Sequence, residues 1–180
     1  FIIADQIELY PKELYEQGMG IISSSVVRNH PNAVSPRIKS LNYLNNILAK
    51  IEALDAGVQE AIMYNHLGFV AECTGDNLFL LKHAQLFTPP LSAGALYGIT
   101  RGVVMDLARD EGWAVAEPNL TRYELFNAEE CFLTGTGAEI IPVVKIDGRE
   151  IGNGKPGPLT IKLEQKYRAL TRTTGEPIHP

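Results

Sequence analysis

Short β-rich segments separated by glycine and proline turns make up most of this chain, and few helical patterns lie between them. Strands are predicted at 20–28, 58–64 and 130–134, and a short strand is ended by Pro89-Pro90. A further strand begins at Phe69, is interrupted by Gly75-Asp76 and resumes at 77–81. A hairpin is predicted at 140–151, with its turn at Asp147-Gly148. Several follow one another as hairpins, and few form a strand–helix–strand unit. The pattern predicts an α+β or barrel-like mixed α/β domain rather than a doubly wound sheet.

Helices are predicted where apolar residues recur every three or four positions. The clearest case follows Lys39 and ends at Gly57, which has the residue type of a C-terminal cap. Its apolar stripe is Leu41, Leu44, Leu48, Ile51 and Leu54. Further helices are predicted at 10–17, at 98–112 with Val103, Val104 and Leu107 as its stripe, after the capping box of Thr121 and Glu124, and from the 152–158 loop to about residue 171.

The composition is that of a globular domain. The 180 residues are 45% hydrophobic and 21% charged, which is enough apolar material for one core, and we treat 1–180 as a single domain. A net charge of −5 argues against nucleic acid or an anionic membrane as a partner, and no apolar run approaches membrane-spanning length. Cys73 and Cys131 lack the spacing of a disulfide framework, and the histidines lack metal-ligand spacing, so we expect free thiols, no metal and a cytoplasmic location.

Two charged residues stand beside apolar segments and are candidates for chemistry. Lys39 ends a proline-containing loop just before the predicted helix, and a lysine in such a place can serve as an amine nucleophile. Glu72 is flanked by Val70, Ala71 and Cys73, and a half-buried carboxylate needs a cationic partner. Taken alone, each has a simpler explanation: a solvated lysine in a first helical turn, and a glutamate on an edge strand.

Two glycine-containing corners have the character of phosphate sites. Gly98-Ile99-Thr100 opens a predicted helix, where free N–H groups and a hydroxyl converge at the positive end of the dipole. Gly135-Thr136-Gly137 follows a strand and can form a second nest of N–H donors. Each could equally be only a turn. Together with a lysine and a carboxylate, however, two phosphate corners are what pyridoxal phosphate requires.

In this combination the sequence resembles the class IV, fold type IV, pyridoxal-phosphate aminotransferases, and most closely the branched-chain amino-acid aminotransferases. The resemblance covers nearly the whole chain and follows the family's order. The matching stretches are 39–44 (KSLNYL), 72–79 (ECTGDNLF), 88–90 with 94–101 (TPP, GALYGITR), 132–140 (FLTGTGAEI) and 154–158 (GKPGP). It implies the pseudo-barrel, C-terminal domain of the D-amino-acid aminotransferase-like fold. Two departures, Cys73 for the family's usual glycine and Gly137 for its usual alanine, put substrate preference in doubt but not the cofactor.

The resemblance assigns roles around the cofactor ring. Lys39 would form the Schiff base and later shuttle the proton between the substrate's Cα and the cofactor's C4′. Glu72 would face the pyridine nitrogen and keep it protonated. Tyr43 would hydrogen-bond the phenolic oxygen, and Leu96 would pack on the ring face.

It also assigns the phosphate and substrate contacts. Ile99 and Thr100 would hold the phosphate at a helix N-terminus, with Thr136 on its other side. The backbone at Thr136 and Gly137 would help to bind the substrate carboxylate.

The implied activity is transfer of an amino group between a branched-chain L-amino acid and 2-oxoglutarate. D-amino-acid aminotransferase and aminodeoxychorismate lyase are the alternatives within the fold, and a catalytically incompetent binding or assembly module is the alternative outside it. The implied partners are the family's smaller N-terminal domain, which we expect to be absent from this chain, and further copies in a homodimer or higher homo-oligomer.

Overall fold

The structure, a computed structural model, describes residues 9–175. Its helices are α1 (Lys12–Gln17), α2 (Leu44–Asp55), α3 (Ile99–Asp110), α4 (Arg122–Phe126) and α5 (Pro158–Thr173), with a 3-10 turn at Leu91–Ala93. Its strands are β1 (Met19–Val27), β2 (Glu60–Tyr64), β3 (Val70–Cys73), β4 (Asn77–Lys82), β5 (Gln85–Phe87), β6 (Ala114–Ala116), β7 (Glu130–Gly135), β8 (Glu139–Ile146) and β9 (Arg149–Glu150).

The nine strands of this described range belong to one mixed sheet. The order is β3-β2-β1-β8-β7-β4-β5-β6, and β9 pairs with β8. β1 is parallel to both of its neighbours, and β5 is parallel to β6; the other pairs are antiparallel. The predicted mixed α/β class of barrel type is confirmed.

The short link between β3 and β4 forces this sheet to curl. In a flat sheet the two strands would stand five spacings apart, roughly 24 Å. The chain from Cys73 to Asn77 can span only about 14 Å, and the Cys73 amide donates to the Asp76 carbonyl at 2.8 Å to form a tight turn. The prediction of one interrupted strand from Phe69 to Leu81 is therefore wrong. The glycine-aspartate pair separates two strands that lie at different places in the sheet.

Both faces of the sheet are buried around β4 and β7, so consecutive residues in the middle of these strands, 78–81 and 131–133, are all apolar. On one face of β4, Leu78 and Leu80 belong to a core cluster that contains residues from β1, β2, β3, β4, β7 and β8. On the other face, Phe79 and Leu81 pack with residues of α3 and α5. On that second face the Phe79 and Phe132 rings stack with centroids 5.0 Å apart. Because both faces of these strands are buried, their sequences do not alternate between polar and apolar residues. The sequence therefore indicates where the strands are but not which face of each strand points to which side of the sheet.

Helix α2 packs on β1 and β2 through its small residues, not its large ones. Ala49, Ala53 and Asn46 are the buried residues of the helix, and Glu52 ties it to β1 by accepting from the Ser24 hydroxyl at 2.6 Å. The predicted stripe, by contrast, is exposed: Leu41, Leu44, Leu48, Ile51 and Leu54 are all at least 46% accessible. Alanine lets the helix approach the sheet closely, which turns the leucines and isoleucines outward. The stripe identified from the spacing is therefore not the side of the helix that packs on the sheet.

The other local predictions hold, with one omission. The capping box at Thr121 and Glu124 opens α4, and the 140–151 hairpin turns at Asp147-Gly148, both with positive φ. The two cysteines are free and buried. β6 was not predicted, because three residues of mixed burial carry no usable period. Within residues 9–175 no helix is long and apolar enough to cross a membrane.

Candidate active site

A cavity of about 560 Å³ opens where β1 ends, β3 turns into β4 and the segment before α3 passes across them. Its lining includes four of the residues singled out from the sequence, which are Lys39, Tyr43, Glu72 and Leu96. These positions are as much as 57 residues apart in the chain. Only the curl of the sheet brings them to one wall.

Glu72 is the buried acid of this cavity. It belongs to β3, its side chain is only 7% exposed, and it forms an ion pair with Arg28, which follows the last residue of β1. Burial raises the pKa of Glu72 to about 7, against the lowering effect of the Arg28 guanidinium and of the Leu96 amide. The group therefore sits between its charged and neutral forms near neutral pH.

Arg28 is a residue of the site that the sequence reasoning missed. It is buried, with 6% of its surface exposed. The one available signal was a charged residue at the end of the apolar run of β1. Sequence alone could not select it, because an arginine at a strand end is ordinarily solvated.

An amide side chain completes the surroundings of Glu72. Asn77 Nδ2 donates to Glu72 Oε2 at 3.2 Å and to the Leu96 carbonyl oxygen at 3.1 Å. The Leu96 amide itself donates to Glu72 Oε2 at 2.9 Å. The acid is thus fixed by groups from the residue after β1, from β4 and from the segment leading into α3.

Lys39 and Tyr43 are more exposed members of the cavity lining than Glu72. Lys39 is exposed, and its charge is near enough to Glu72 to lower the pKa of that carboxyl slightly. Tyr43 is half-buried, and its hydroxyl donates to the Thr74 carbonyl. Burial, followed by the negative charge of Glu72, raises the pKa of Tyr43, so the phenol stays protonated at neutral pH.

A second buried acid, Glu60, binds Thr74, which is part of the cavity lining. Glu60 Oε2 accepts from the Thr74 amide at 2.8 Å, and Glu60 also accepts from the Thr74 hydroxyl. Lys50 Nζ of α2 lies 3.0 Å from Glu60 Oε1. Glu60, the first residue of β2, therefore links α2 to the β3–β4 turn through an ion pair on one side and hydrogen bonds on the other.

The residues of the two predicted phosphate corners do not belong to the lining of this cavity. α3 begins at Ile99, three residues after Leu96, and its N-cap Gly98 makes no side-chain capping bond. Ile99 is exposed, whereas the Thr100 hydroxyl lies buried 3.5 Å from the Tyr167 hydroxyl and so turns towards the core. Any anion at this terminus would meet backbone N–H groups first.

The second corner is exposed and does not line the cavity. Thr136 and Gly137 belong to the lining of a neighbouring surface groove that includes Tyr15 and Arg168. Gly135, just before them, packs against the Asp76 carboxylate. The structure thus brings four of the predicted residues together in one cavity, and Ile99, Thr100, Thr136 and Gly137 lie outside its lining.

The arrangement favours acid–base chemistry on a bound organic ligand. It offers an exposed amine, a buried carboxylate that is partly neutral near pH 7, and a phenol. Within residues 9–175 no three histidine, cysteine, aspartate or glutamate side chains are grouped so as to hold a metal ion. Cys73 and Cys131 are poor nucleophiles, since burial raises the pKa of both thiols.

Comparison with known proteins gives a consistent answer. The family model for amino-transferase class IV matches residues 1–146. A branched-chain-amino-acid aminotransferase of Pseudomonas aeruginosa is 41% identical over 157 residues, which cover 87% of this chain and 51% of that protein.

Solved structures agree. The Escherichia coli branched-chain amino acid aminotransferase has a TM-score of 0.87 at 40% identity, covering 89% of this chain and 53% of that one. The branched-chain amino acid aminotransferase of T.th., solved with pyridoxamine 5′-phosphate, has a TM-score of 0.84 at 38% identity, covering 88% of this chain and 52% of that one. The chain therefore spans about half the length of these relatives.

Proposed function

The chain belongs to the class IV aminotransferases, and on that basis we propose that it is the cofactor-binding part of a pyridoxal-phosphate transaminase for branched-chain L-amino acids. The observation that carries the proposal is the shared cavity of Lys39, Tyr43 and Glu72. An amine, a phenol and a carboxylate are the groups that the aldehyde, the phenolic oxygen and the ring nitrogen of this cofactor require.

The residues present fit the cofactor. The cavity, at about 560 Å³, falls within the roughly 300–1,000 Å³ range of small-molecule sites. Glu72 is the buried acid suited to the ring nitrogen, and Leu96 offers an apolar contact for the ring. The first N–H groups of α3, which no side chain within residues 9–175 caps, suit the phosphate.

When bound, pyridoxal phosphate would supply an aldehyde for the amine and a conjugated ring that accepts the electron pair left after the substrate's Cα loses its proton. The protein's part is to hold groups and move protons. Lys39 Nζ would hold the cofactor covalently and then carry the proton to and from Cα. Glu72 would retain a proton on the ring nitrogen, and the Tyr43 hydroxyl would orient the phenolic oxygen.

The substrate contacts are a further part of the proposal. The backbone at Thr136 and Gly137 would bind the substrate carboxylate, and Thr136 with Ile99 and Thr100 would hold the phosphate. A smaller domain, matching the half of the relatives that this chain does not cover, would close the open side of the cavity, and a homodimer would be the functional unit. Branched-chain amino acids are favoured as substrates because the relatives carry the branched-chain name; the L configuration and 2-oxoglutarate as the amino-group acceptor belong to the proposal.

Covalent labelling tests the proposal directly. The chain would be incubated with pyridoxal phosphate, reduced with borohydride and mapped by peptide mass spectrometry. We expect the pyridoxyl label on Lys39. Lys39→Ala should abolish it, whereas Lys50→Ala, which removes a lysine paired with Glu60, should leave it in place. A label on Lys50, or the absence of any label at a pyridoxal phosphate concentration high enough to saturate weak binding, would contradict the proposal.

A further inference from the structure

Arg28 is anchored by three segments of the chain. Its Nε donates to the Gly94 carbonyl oxygen at 3.1 Å, its Nη1 to Asn46 Oδ1, and its Nη2 to Glu72 Oε1. Asn46 is itself held, since its Nδ2 donates to the Thr74 carbonyl at 2.8 Å. A buried guanidinium gripped in this way has one orientation, and the carboxylate it faces is fixed with it.

Among residues 9–175, the hydrogen-bond donors to Glu72 leave one acceptor position of the carboxylate open. A carboxylate has about four lone-pair sites. Arg28 takes one on Oε1, and the Leu96 amide and Asn77 Nδ2 both donate to Oε2. Both Arg28 and Glu72 line the cavity. The open position is therefore available to a donor inside the cavity.

The positive charge of Arg28 affects the protonation state of Glu72. Burial pushes the pKa of Glu72 upward, and the Arg28 guanidinium is the largest influence in the other direction. A neutral Glu72 would be unable to keep a proton on a ring nitrogen. It would also leave the buried Arg28 charge without this partner.

We infer that Arg28 is a positioning residue: it favours the ionised form of Glu72 and aims the carboxylate's remaining acceptor position at a heterocyclic nitrogen in the cavity. The inference rests on the proposed function for the identity of that nitrogen. Its first link, from Arg28 to Glu72, concerns this chain alone. The alternative is that the pair merely joins β1 to β3.

The first experiment needs no cofactor. The carboxyl carbons of glutamate would be labelled with ¹³C, the Glu72 signal assigned by its loss in Glu72→Gln, and its titration followed in wild-type and variant chains. An opposite charge at contact shifts a carboxyl pKa by about 1–3 units. We therefore expect Arg28→Gln to raise the midpoint of Glu72 by at least about one unit.

Two variants make the result specific. Arg101→Gln removes another buried arginine, which pairs with Glu117, and should leave the Glu72 midpoint unchanged. Arg28→Lys retains the positive charge but not the two-pronged guanidinium group. It should therefore raise the Glu72 midpoint by less than Arg28→Gln does. If Arg28→Gln does not fold, Arg28→Lys is the variant that tests the inference. A midpoint at or below the wild-type value in the folded Arg28 variants would overturn the inference.

The second experiment follows the proton. Pyridoxal phosphate labelled with ¹⁵N in its ring would be bound to the same chains, since the nitrogen shift separates a protonated ring from a neutral one. We expect a protonated ring in wild type and in Arg101→Gln, and a neutral one in Arg28→Gln. A ring that remains protonated in Arg28→Gln would refute the link to the ring. Failure of every chain to bind the cofactor would count against the proposed function, while the first experiment still decides the role of Arg28.

Discussion

Asn77 Oδ1 occupies the position at which a side chain on Gly98 would have to begin. Gly98 has ordinary extended backbone angles, with φ −72° and ψ 135°, so its backbone conformation does not require glycine. What requires it is the close approach of the Asn77 amide. The start of α3 is thereby pressed against the residue that supports Glu72.

Gly98→Ala should therefore destabilise the fold. A methyl group must displace Asn77, and overpacking of this kind costs about 1–3 kcal/mol. Gly102→Ala is the matched control in the same helix. It meets no atom within 4 Å and should gain about 0.5–1 kcal/mol from helix propensity. Urea unfolding followed by circular dichroism would measure both, and equal shifts in one direction would contradict the close-contact argument.

Asp76 should make stability fall between mildly acidic and neutral pH. Burial, followed by the charge of Glu60, raises the pKa of Asp76 from 3.8 to about 6, against the lowering effects of Tyr10 and Lys50. A group whose pKa is raised by folding contributes stability below its unfolded pKa and loses it as pH rises through the folded pKa. The relevant window thus runs from about pH 4 to about pH 6. Glu72 adds a slope of the same sign up to about pH 7.

Asp76→Asn should flatten this dependence. We expect the variant to be more stable than wild type by about 1–3 kcal/mol at neutral pH and to show little difference near pH 4. Asp106→Asn, at an exposed site on α3, is the control and should be neutral at both. Chemical unfolding at the two pH values would measure the effect. An equal loss of stability at both would mean that Asp76 acts through its hydrogen bond with Tyr10 alone.

The outward face of α2 should drive self-association. Leu44, Ile47, Leu48, Ile51 and Leu54 form a continuous apolar surface on one helix. Burying one such side chain contributes about 1.5–3 kcal/mol, so Leu48→Glu or Ile51→Glu should weaken association more than about tenfold. Leu67→Glu, at an isolated exposed leucine between β2 and β3, should not. Sedimentation velocity would resolve this, and indistinguishable profiles for all four proteins would argue against the surface.

The chain alone should bind pyridoxal phosphate weakly and transaminate negligibly. It spans about half of its relatives, so some of their phosphate contacts and the closing wall would be missing. A charge-assisted phosphate contact is worth roughly 1.5–3 kcal/mol, and its loss corresponds to roughly ten- to a hundredfold in affinity. Near-visible absorbance during titration and an assay with isoleucine and 2-oxoglutarate would test this. Turnover near that of an intact aminotransferase would contradict it.

How much of this structure the sequence predicts depends on the range of the interactions. The capping box of Thr121 and Glu124 and the turn at Asp147-Gly148 were predictable because their hydrogen bonds and angles lie within a few residues. The start of α3 after Gly98 was predictable for the same reason. The helix after Lys39 was also predictable, but not its orientation. Spacing identifies an apolar face without showing whether a sheet or something else covers it.

The residues of the site also divide into those that local sequence predicts and those that depend on long-range contacts. Lys39 and Glu72 were found because each belongs to a short stretch with a family resemblance. Arg28 and Asn46 were not, since their importance depends on contacts made across 44 and 18 residues of sequence. No local pattern records that a strand-end arginine is buried. The position of Asn77 between Glu72 and Leu96 was likewise visible only in three dimensions.

The bridging amide of Asn77 has a thermodynamic consequence. One side chain is bonded both to the acid and to the segment that leads into α3, so the two ends of the cavity share a support. Suppose that an anion at the start of α3 favours the present position of Leu96. By linkage, the anion then raises the affinity of Glu72, in its present position, for its own ligand. That ligand raises the affinity of the α3 terminus for the anion by the same factor. The two ends of a ligand would be recognised as one event, with Asn77 as the residue that sets their coupling free energy.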